Sequence, residues 1–425
     1  MNLTILIIGN ILICLLVFFL TKDFMHPGFL FCIPWITFLT LLVFSNYEYD
    51  GSSLCYIYLL FGTIVFQLGC FLGIKKIKRK ERLINTDNQF YFVNFKSLKL
   101  IMIAEGLFVL FILFIYLIFM RSHFHINIFL TFHTSQFQLP YAGIIGYCRN
   151  MFSAFGICMV VGYPRIRLEE REKYKKYILI QLPMYFFMTI TRITRNEMLF
   201  AALPLFIAFI IVTKQKNAQV FKKMFIAVIL FLVVFSTVAI MKYYDIFING
   251  NYISNLYNQI VLYGSGGIVA FQKQFDIMDF ESYGGANTLR FFQAVFDKLA
   301  GTHYAMPLIQ EFSPIGMGEV TNVYTFYQWY ANDFGIIYAL FVQFIIGIIH
   351  GVFYRKMSKM NVLGIYVYCL LVHPLVMQIF QDQYSALTSS WLQYLIAGFV
   401  FLKTDIIFGR SARKNGFHLY LEADR

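Results

Sequence analysis

The chain has 425 residues, of which 59% are hydrophobic and only 13% charged, with 50 Phe, 29 Tyr and 3 Trp, and its mean hydropathy is +0.65. Soluble domains carry about a quarter charged residues, so this composition excludes a cytosolic enzyme, a secreted disulfide scaffold and a disordered chain. What remains is a polytopic membrane protein, and the net charge of +13 has to be read in that setting.

Eleven apolar stretches are long enough to cross a bilayer once tilt and interfacial ends are allowed for. In chain order they are Leu3–Leu20, Gly28–Phe44, Leu54–Ile74, Leu100–Met120, Pro140–Tyr163, Ile178–Thr191 and Glu197–Thr213, then Met224–Met241, Phe334–Phe353, Val362–Phe380 and Ser390–Phe408. The first lacks a positive n-region and a small-x-small site, so it reads as a retained span rather than a signal peptide. Seven cysteines are scattered without CxxC spacing and read as small apolar fillers.

Lys and Arg in short loops orient the spans. The run from Lys75 to Arg82 belongs in the cytoplasm; alternation then puts loops 164–177, 214–223 and 355–361 and the C-terminal tail inside as well. The outer side is left with a negative balance. The N-terminus is therefore expected outside and the C-terminus inside, and the positive charge is topogenic. It is not a nucleic-acid surface.

The expected class is an all-α, polytopic transmembrane helix bundle forming a single integral membrane domain over residues 1–425. One large external loop, Lys242–Asp333, caps it. Gly264-Ser265-Gly266-Gly267 and Gly284-Gly285 predict a jointed segment rather than one long helix. Leu289, Phe292, Phe296 and Leu299 recur at helical spacing opposite Arg290, Gln293 and Asp297, which predicts an amphipathic helix capped by Asn287 and stopped by Gly301. Such helices lie in the interface plane.

Ionisable groups at membrane depth are costly and are functional candidates by default. Arg192 and Arg195 fall at the outer tip of a tight hairpin, on one face if that tip is helical. Arg binds phosphate through a planar fork, so a pyrophosphate or lipid phosphate would suit them; snorkelling to headgroups or pairing with Glu197 is the alternative. Arg149 sits ten residues into its span and needs an internal anion or an aqueous cavity. Arg290 either reaches the same anion or lies among headgroups. Glu105 reads as a satisfied acid near the cytoplasmic end of its span.

For acid–base chemistry the outer side offers His303, Glu311, Glu319, Asp333 and Asp382. Glu319 and His303 are in loops, where solvation is the alternative, and Asp333 opens a span, where a helix N-cap is the alternative. His373 reads as a polar helix contact. His123, His125 and His133 share an outer loop without metal-ligand spacing, so no metal site is expected. Tyr324, Phe326, Tyr327, Trp329 and Tyr330 form either an interfacial aromatic belt or flat faces for sugar rings. Phosphate-loop, HExxH, GxSxG and dinucleotide signatures do not occur. No cofactor is expected, and an outward-facing reaction without ATP needs a donor that carries its own leaving group.

Thr191-Arg192-Ile193-Thr194-Arg195-Asn196-Glu197-Met198-Leu199 resembles the Arg-bearing element of Wzy-type oligosaccharide repeat-unit polymerases, the O-antigen and capsule polymerases. Thr321-Asn322-Val323-Tyr324-Thr325 followed by Trp329-Tyr330-Ala331-Asn332-Asp333-Phe334-Gly335 is similar to the end of the long external loop in the same family. Arg290 with Gly301 matches a loop spacing of some members. The resemblance implies a GT-C-like bundle in the bacterial cytoplasmic (inner) membrane. It also implies transfer of a glycan from an undecaprenyl pyrophosphate donor to a hydroxyl of a new lipid-linked repeat unit. Arg192, Arg195, Arg290 and Arg149 would hold the pyrophosphate, with Tyr324 and Trp329 at the sugars. Glu319, Asp333 or His303 would take the proton. Membrane lipids, a chain-length regulator and a flippase are the implied partners. The rival expectations are a flippase for the same lipid-linked glycan and a ligase that moves the glycan to another acceptor.

Overall fold

Apolar runs in a bilayer must satisfy their backbone internally, so they fold as helices. The computed structural model describes residues 2–45, 53–76, 90–122, 142–192, 195–213, 219–220, 222–223, 252–277, 284–306, 311–316 and 318–410. In chain order the elements are α1 (Asn2–Thr21), α2 (Pro27–Val43), α3 (Ser53–Lys76), β1 (Tyr91–Val93), α4 (Phe95–Ser122), α5 (Ala142–Gly162), α6 (Leu168–Ile190) and α7 (Arg195–Val212). They continue as α8 (Tyr252–Ile277), α9 (Arg290–Ala300), β2 (Ser313–Gly316), β3 (Glu319–Thr321), α10 (Tyr327–Phe334), α11 (Ile336–Ser358), α12 (Val362–Met377), α13 (Thr388–Lys403) and β4 (Phe408–Arg410). The chain is mostly helical, and two short antiparallel ribbons, β1 with β4 and β2 with β3, qualify the all-α expectation.

Among the described residues five helices are long and apolar enough to cross a membrane, in α1, α3, α4, α5 with the turn after it, and α11; α2, α7 and α12 carry shorter apolar segments. The expected span Met224–Met241 lies outside the described residues, as do His123, His125 and His133. The expected span Ile178–Thr191 is the second half of α6, which begins in the charged stretch at Leu168. Leu107, Leu110, Phe114 and Leu117 of α4 and Ile337 and Phe341 of α11 point outward. Such large apolar faces suit lipid. A single contiguous apolar core runs from Leu3 to Phe408, with a satellite of Ile112, Tyr116 and Ile145. All seven cysteines are free, and six of them are buried.

The loops segregate. At one end β1 pairs with β4, Tyr91 bridges Ile166, and Arg165 Nη2 donates to Met360 O at 3.1 Å. These are segments that the charge rule places inside. At the other end Asn196 Nδ2 donates to Gln383 Oε1 at 2.9 Å, and Phe326 N donates to Gln378 O at 2.8 Å. Those segments belong outside by the same rule.

The expectation of a jointed segment at Gly264–Gly267 is overturned: α8 runs unbroken through all four residues. The glycines serve close packing instead. A Cβ on Gly264 would fall 1.8 Å from Phe38 Cδ1 of α2, and one on Gly267 would fall 3.2 Å from Ile379 O. Ser265 Oγ donates to Phe38 O, and Tyr56 OH of α3 donates to Gln272 Oε1. This part of the expected cap, α8, is thus packed against α2 and α3 rather than laid over the bundle. The second half does contain the amphipathic helix: α9 buries none of its residues, exposes Phe292, Phe296 and Leu299, and is stopped by a left-handed Gly301. Its N-cap is Leu289, not the expected Asn287.

The most extensive helix pair joins α3 and α11. Gly69 and Gly73 face Gly347 and Gly351, two GxxxG spacings whose missing side chains let the backbones touch. A Cβ on Gly351 would lie 2.1 Å from Cys70 O, and one on Gly73 would lie 2.3 Å from Ile348 O. The obstacles are carbonyls, which cannot rotate away. Gly351→Ala is therefore expected to destabilise the fold by about 1–3 kcal/mol, read as a lower thermal midpoint in detergent. An unchanged midpoint would mean that the two backbones separate without cost.

Candidate functional site

The bundle holds a cavity of about 240 Å³ at the end where the outer loops meet. The start of α5 contributes Gly143, Gly146, Tyr147, Arg149 and Asn150; the turn between α6 and α7 contributes Arg192, Glu197 and Phe200. The start of α13 and the residue before it supply Leu387, Ser389, Ser390 and Gln393.

Both arginines are nearly enclosed, Arg149 at 7% exposure and Arg192 at 4%. Arg192 Nη1 donates to Asn150 Oδ1 at 2.9 Å, and Nη2 donates to Ser153 Oγ at 2.8 Å. Asn150 Nδ2 passes the connection on to Gln393 Oε1 at 2.7 Å. Arg149 Nη2 donates to Tyr116 OH at 3.1 Å, and that hydroxyl donates to Thr191 O at 2.9 Å. Every acceptor is neutral. Among the described residues neither guanidinium is ion-paired, and the Nε of each is buried without a hydrogen-bond partner.

Two buried cations held by neutral acceptors are electrostatically incomplete. A lone charge taken out of water costs several kcal/mol unless a counter-charge joins it, and a guanidinium has five donors, of which these two use two and one. An anion in the cavity would supply both the counter-charge and the missing acceptors. A diphosphate, with many oxygens and at least two charges, matches two forks better than a single carboxylate does.

The hairpin tip is not one helix. Arg192 sits in the turn that closes α6, and Arg195 opens α7, so the one-face argument for the pair does not apply. Residues 193–194 and the Arg195 side chain lie outside the described residues. Behind the turn, Asn196 Oδ1 meets His373 Nε2 at 3.2 Å, so His373 is the polar helix contact expected of it. The Phe200 ring stands edge-on to His373 at 4.9 Å and closes the cavity on that side.

The remaining predicted site residues are elsewhere. Arg290 Nε donates to Met306 O at 2.5 Å, and Arg290 does not line the cavity. Glu319 lies exposed in β3, and His303 lies exposed after α9. Asp333 is fully buried. Its Oδ1 accepts from Asn287 N and Nδ2 at 3.1 and 2.9 Å, and its Oδ2 accepts from Thr288 N and Oγ1, both at 2.7 Å. It therefore ties the turn before α9 to α10. It does not cap α11, whose N-cap is Gly335. Trp329 is 1% exposed and packs inside the bundle, and Tyr324 OH donates to Glu311 O at 3.1 Å. The aromatic run is core, neither an interfacial belt nor an open sugar platform.

Asp382, in the connection between α12 and α13, is buried, and burial pushes its carboxyl up to about 6. Tyr384 N and Ser385 N donate to it at 3.0 and 2.9 Å but do not offset that cost. A carboxyl raised on folding binds more protons in the folded state, so stability falls as pH rises between the two values. The penalty is absent below about pH 4, grows to about 3 kcal/mol near pH 6 and is constant above. Asp382→Asn is expected to remove that pH 4–6 slope from the thermal midpoint, whatever its pH-independent cost. An unchanged slope would assign it to another group.

Asn150, Ser153, Gln393 and Ser389 were not singled out from the sequence, although Arg149, Asn150 and Ser153 form a polar stripe at i, i+1 and i+4 in an apolar span. Among the described residues no cluster of His, Cys, Asp and Glu could hold a metal ion. The chain is thus a mostly helical protein whose apolar helices suit a membrane, with a cation-lined cavity at one end. Comparison with protein-family models, curated proteins and solved structures gave no match.

Proposed function

We propose that the chain is a Wzy-type polymerase joining undecaprenyl pyrophosphate-linked oligosaccharide repeat units on the outer face of a bacterial cytoplasmic membrane. The observation that carries this reading is the pair Arg149 and Arg192, two enclosed guanidiniums on one cavity without a carboxylate partner among the described residues. On this reading the bundle is GT-C-like and crosses the membrane eleven times with the N-terminus outside. The donor pyrophosphate sits between the two forks, which stabilise the charge that grows on it as the glycan leaves. Planar guanidiniums do this without a metal ion. The lipid tail approaches sideways past the start of α5, where Ile144 and Tyr147 are exposed and, among the described residues, nothing packs over Gly143 or Gly146.

The test is reconstitution in liposomes with undecaprenyl pyrophosphate-linked repeat units and neither nucleotide nor divalent metal. A ladder of glycan lengths is expected. One repeat moved intact to a different acceptor would replace polymerase by ligase. Movement of the lipid-linked unit across the bilayer without new glycosidic bonds would replace it by flippase.

A further inference from the structure

We propose that the N-terminus of α13 binds the second phosphate of the diphosphate and makes the cavity select diphosphates over monophosphates. The inference rests on the diphosphate part of the polymerase reading. The first four N–H groups of a helix have no partner inside it, and a side-chain oxygen at the N-cap ordinarily takes up one of them. α13 has no such oxygen, because its N-cap is Leu387. Thr388 N turns back to Ser385 O at 3.3 Å, and Trp391 N donates to Leu387 O at 2.9 Å. Between these two, among the described residues, Ser389 N and Ser390 N donate to no acceptor. The first turn carries no acid either, so the positive end of the helix dipole is left without a counter-charge from its own helix.

A bare helix end is not a binding site by itself. Here Leu387, Ser389 and Ser390 line the same cavity as Arg149 and Arg192, and the Nε of each guanidinium is buried without an acceptor. Uncapped N–H groups and underused guanidiniums thus come to one space from separate elements, and both kinds of donor favour anionic oxygen. Ser389 Oγ accepts from Gln393 Nε2 at 3.1 Å, which leaves its own proton to donate, and Ser390 brings a second hydroxyl to the cavity. One phosphate can satisfy one of the two donor groups. Two bridged phosphates satisfy both, and the second contact is then intramolecular and gains from a high effective concentration. A lipid monophosphate would leave one group of donors unfilled and bind more weakly.

The experiment measures binding of inorganic pyrophosphate and of orthophosphate to the full chain in detergent by calorimetry, with the thermal midpoint as a check on folding. The wild type is expected to bind pyrophosphate at least about 30-fold more tightly than orthophosphate. Ser389→Pro removes one N–H that donates to nothing else, in the first turn of a helix, where proline is tolerated. It is expected to weaken pyrophosphate by about 10- to 100-fold, the size of one hydrogen bond to a charged group, and to leave orthophosphate within about threefold. Ser390→Asp suits a helix start and so favours folding, but its carboxylate competes for the same N–H groups. It is expected to weaken pyrophosphate at least as much, and it decides the matter if Ser389→Pro does not fold. Unchanged pyrophosphate affinity in either folded variant would overturn the α13 contact and leave the arginine clamp intact. So would equal affinities of the wild type for the two anions, or equal weakening of both by Ser389→Pro. Binding of neither anion by the wild type would overturn contact and clamp together. The expected binding without any glycan ladder would keep the contact and overturn the polymerase.

Discussion

Arg192→Lys is expected to slow chain growth by at least about 100-fold although it preserves the charge. Arg192 spends its two Nη groups on Asn150 and Ser153, and that bracing fixes the plane of a guanidinium that lines the cavity. An ammonium has no plane, and it cannot span both acceptors while presenting a bidentate fork. Losing one aligned donor to a developing oxyanion costs about 2.7–4 kcal/mol, which is the size of effect expected in kcat. Arg149→Lys should behave alike, because the same cavity would lose its other fork. The two changes together should cost less than the product of the single effects, since on the proposed reading both act on one leaving group. Arg290→Lys supplies the contrast, with an expected loss below about threefold, because Arg290 is committed to Met306 O and is off the cavity. The measurement is ladder length against time for each variant. A full rate for Arg192→Lys would remove the phosphate clamp, and equal losses at Arg192 and Arg290 would show that total positive charge, not geometry, is what counts.

Arg149 and Arg192 were legible from the sequence because charge inside an apolar run has few structural uses, and hydropathy alone exposes it. Charge alternation also anticipated which loops meet at which end of the bundle. What the sequence could not yield was partnership. Whether Arg192 reaches Asn150 or Glu197 is decided by how α5, α6 and α7 cross, and no local pattern encodes that. The glycines of α8 show the same limit from the other side. A Gly-Ser-Gly-Gly run reads as a breaker by propensity, but α8 stays helical through it where it packs against α2, and the absent side chains become room for Phe38. The GxxxG spacings of α3 and α11 were in plain view, yet only the facing pair gives them meaning. Trp329 and its neighbours carry the composition of an interfacial belt, and nothing in their order distinguishes a belt from a core.

Asp333→Ala is expected to destabilise the protein by about 3–4 kcal/mol, the second large effect. The carboxylate is fully buried and receives four hydrogen bonds, two from backbone N–H groups and two from side chains of Asn287 and Thr288. Charge-assisted bonds of this kind contribute about 1.5–3 kcal/mol each, and donors left unpaired after truncation add their own desolvation cost. The full sum is not reached, because Thr288 is only partly buried and water can replace some of its bonds. Asp333→Asn should restore little. One of its two terminal atoms becomes a donor and faces the Asn287 or the Thr288 pair, whichever way the amide is turned. The readout separates this structural role from the catalytic one that an acid at this position invites. A positioning carboxylate predicts a lower thermal midpoint in detergent for both variants, with loss of activity following loss of folded protein. A proton acceptor predicts an unchanged midpoint and a lost acidic limb in the pH–rate profile. The second pattern at Asp333, with Arg192→Lys fully active, would move the chemistry out of the arginine cavity and onto the turn that leads into α9.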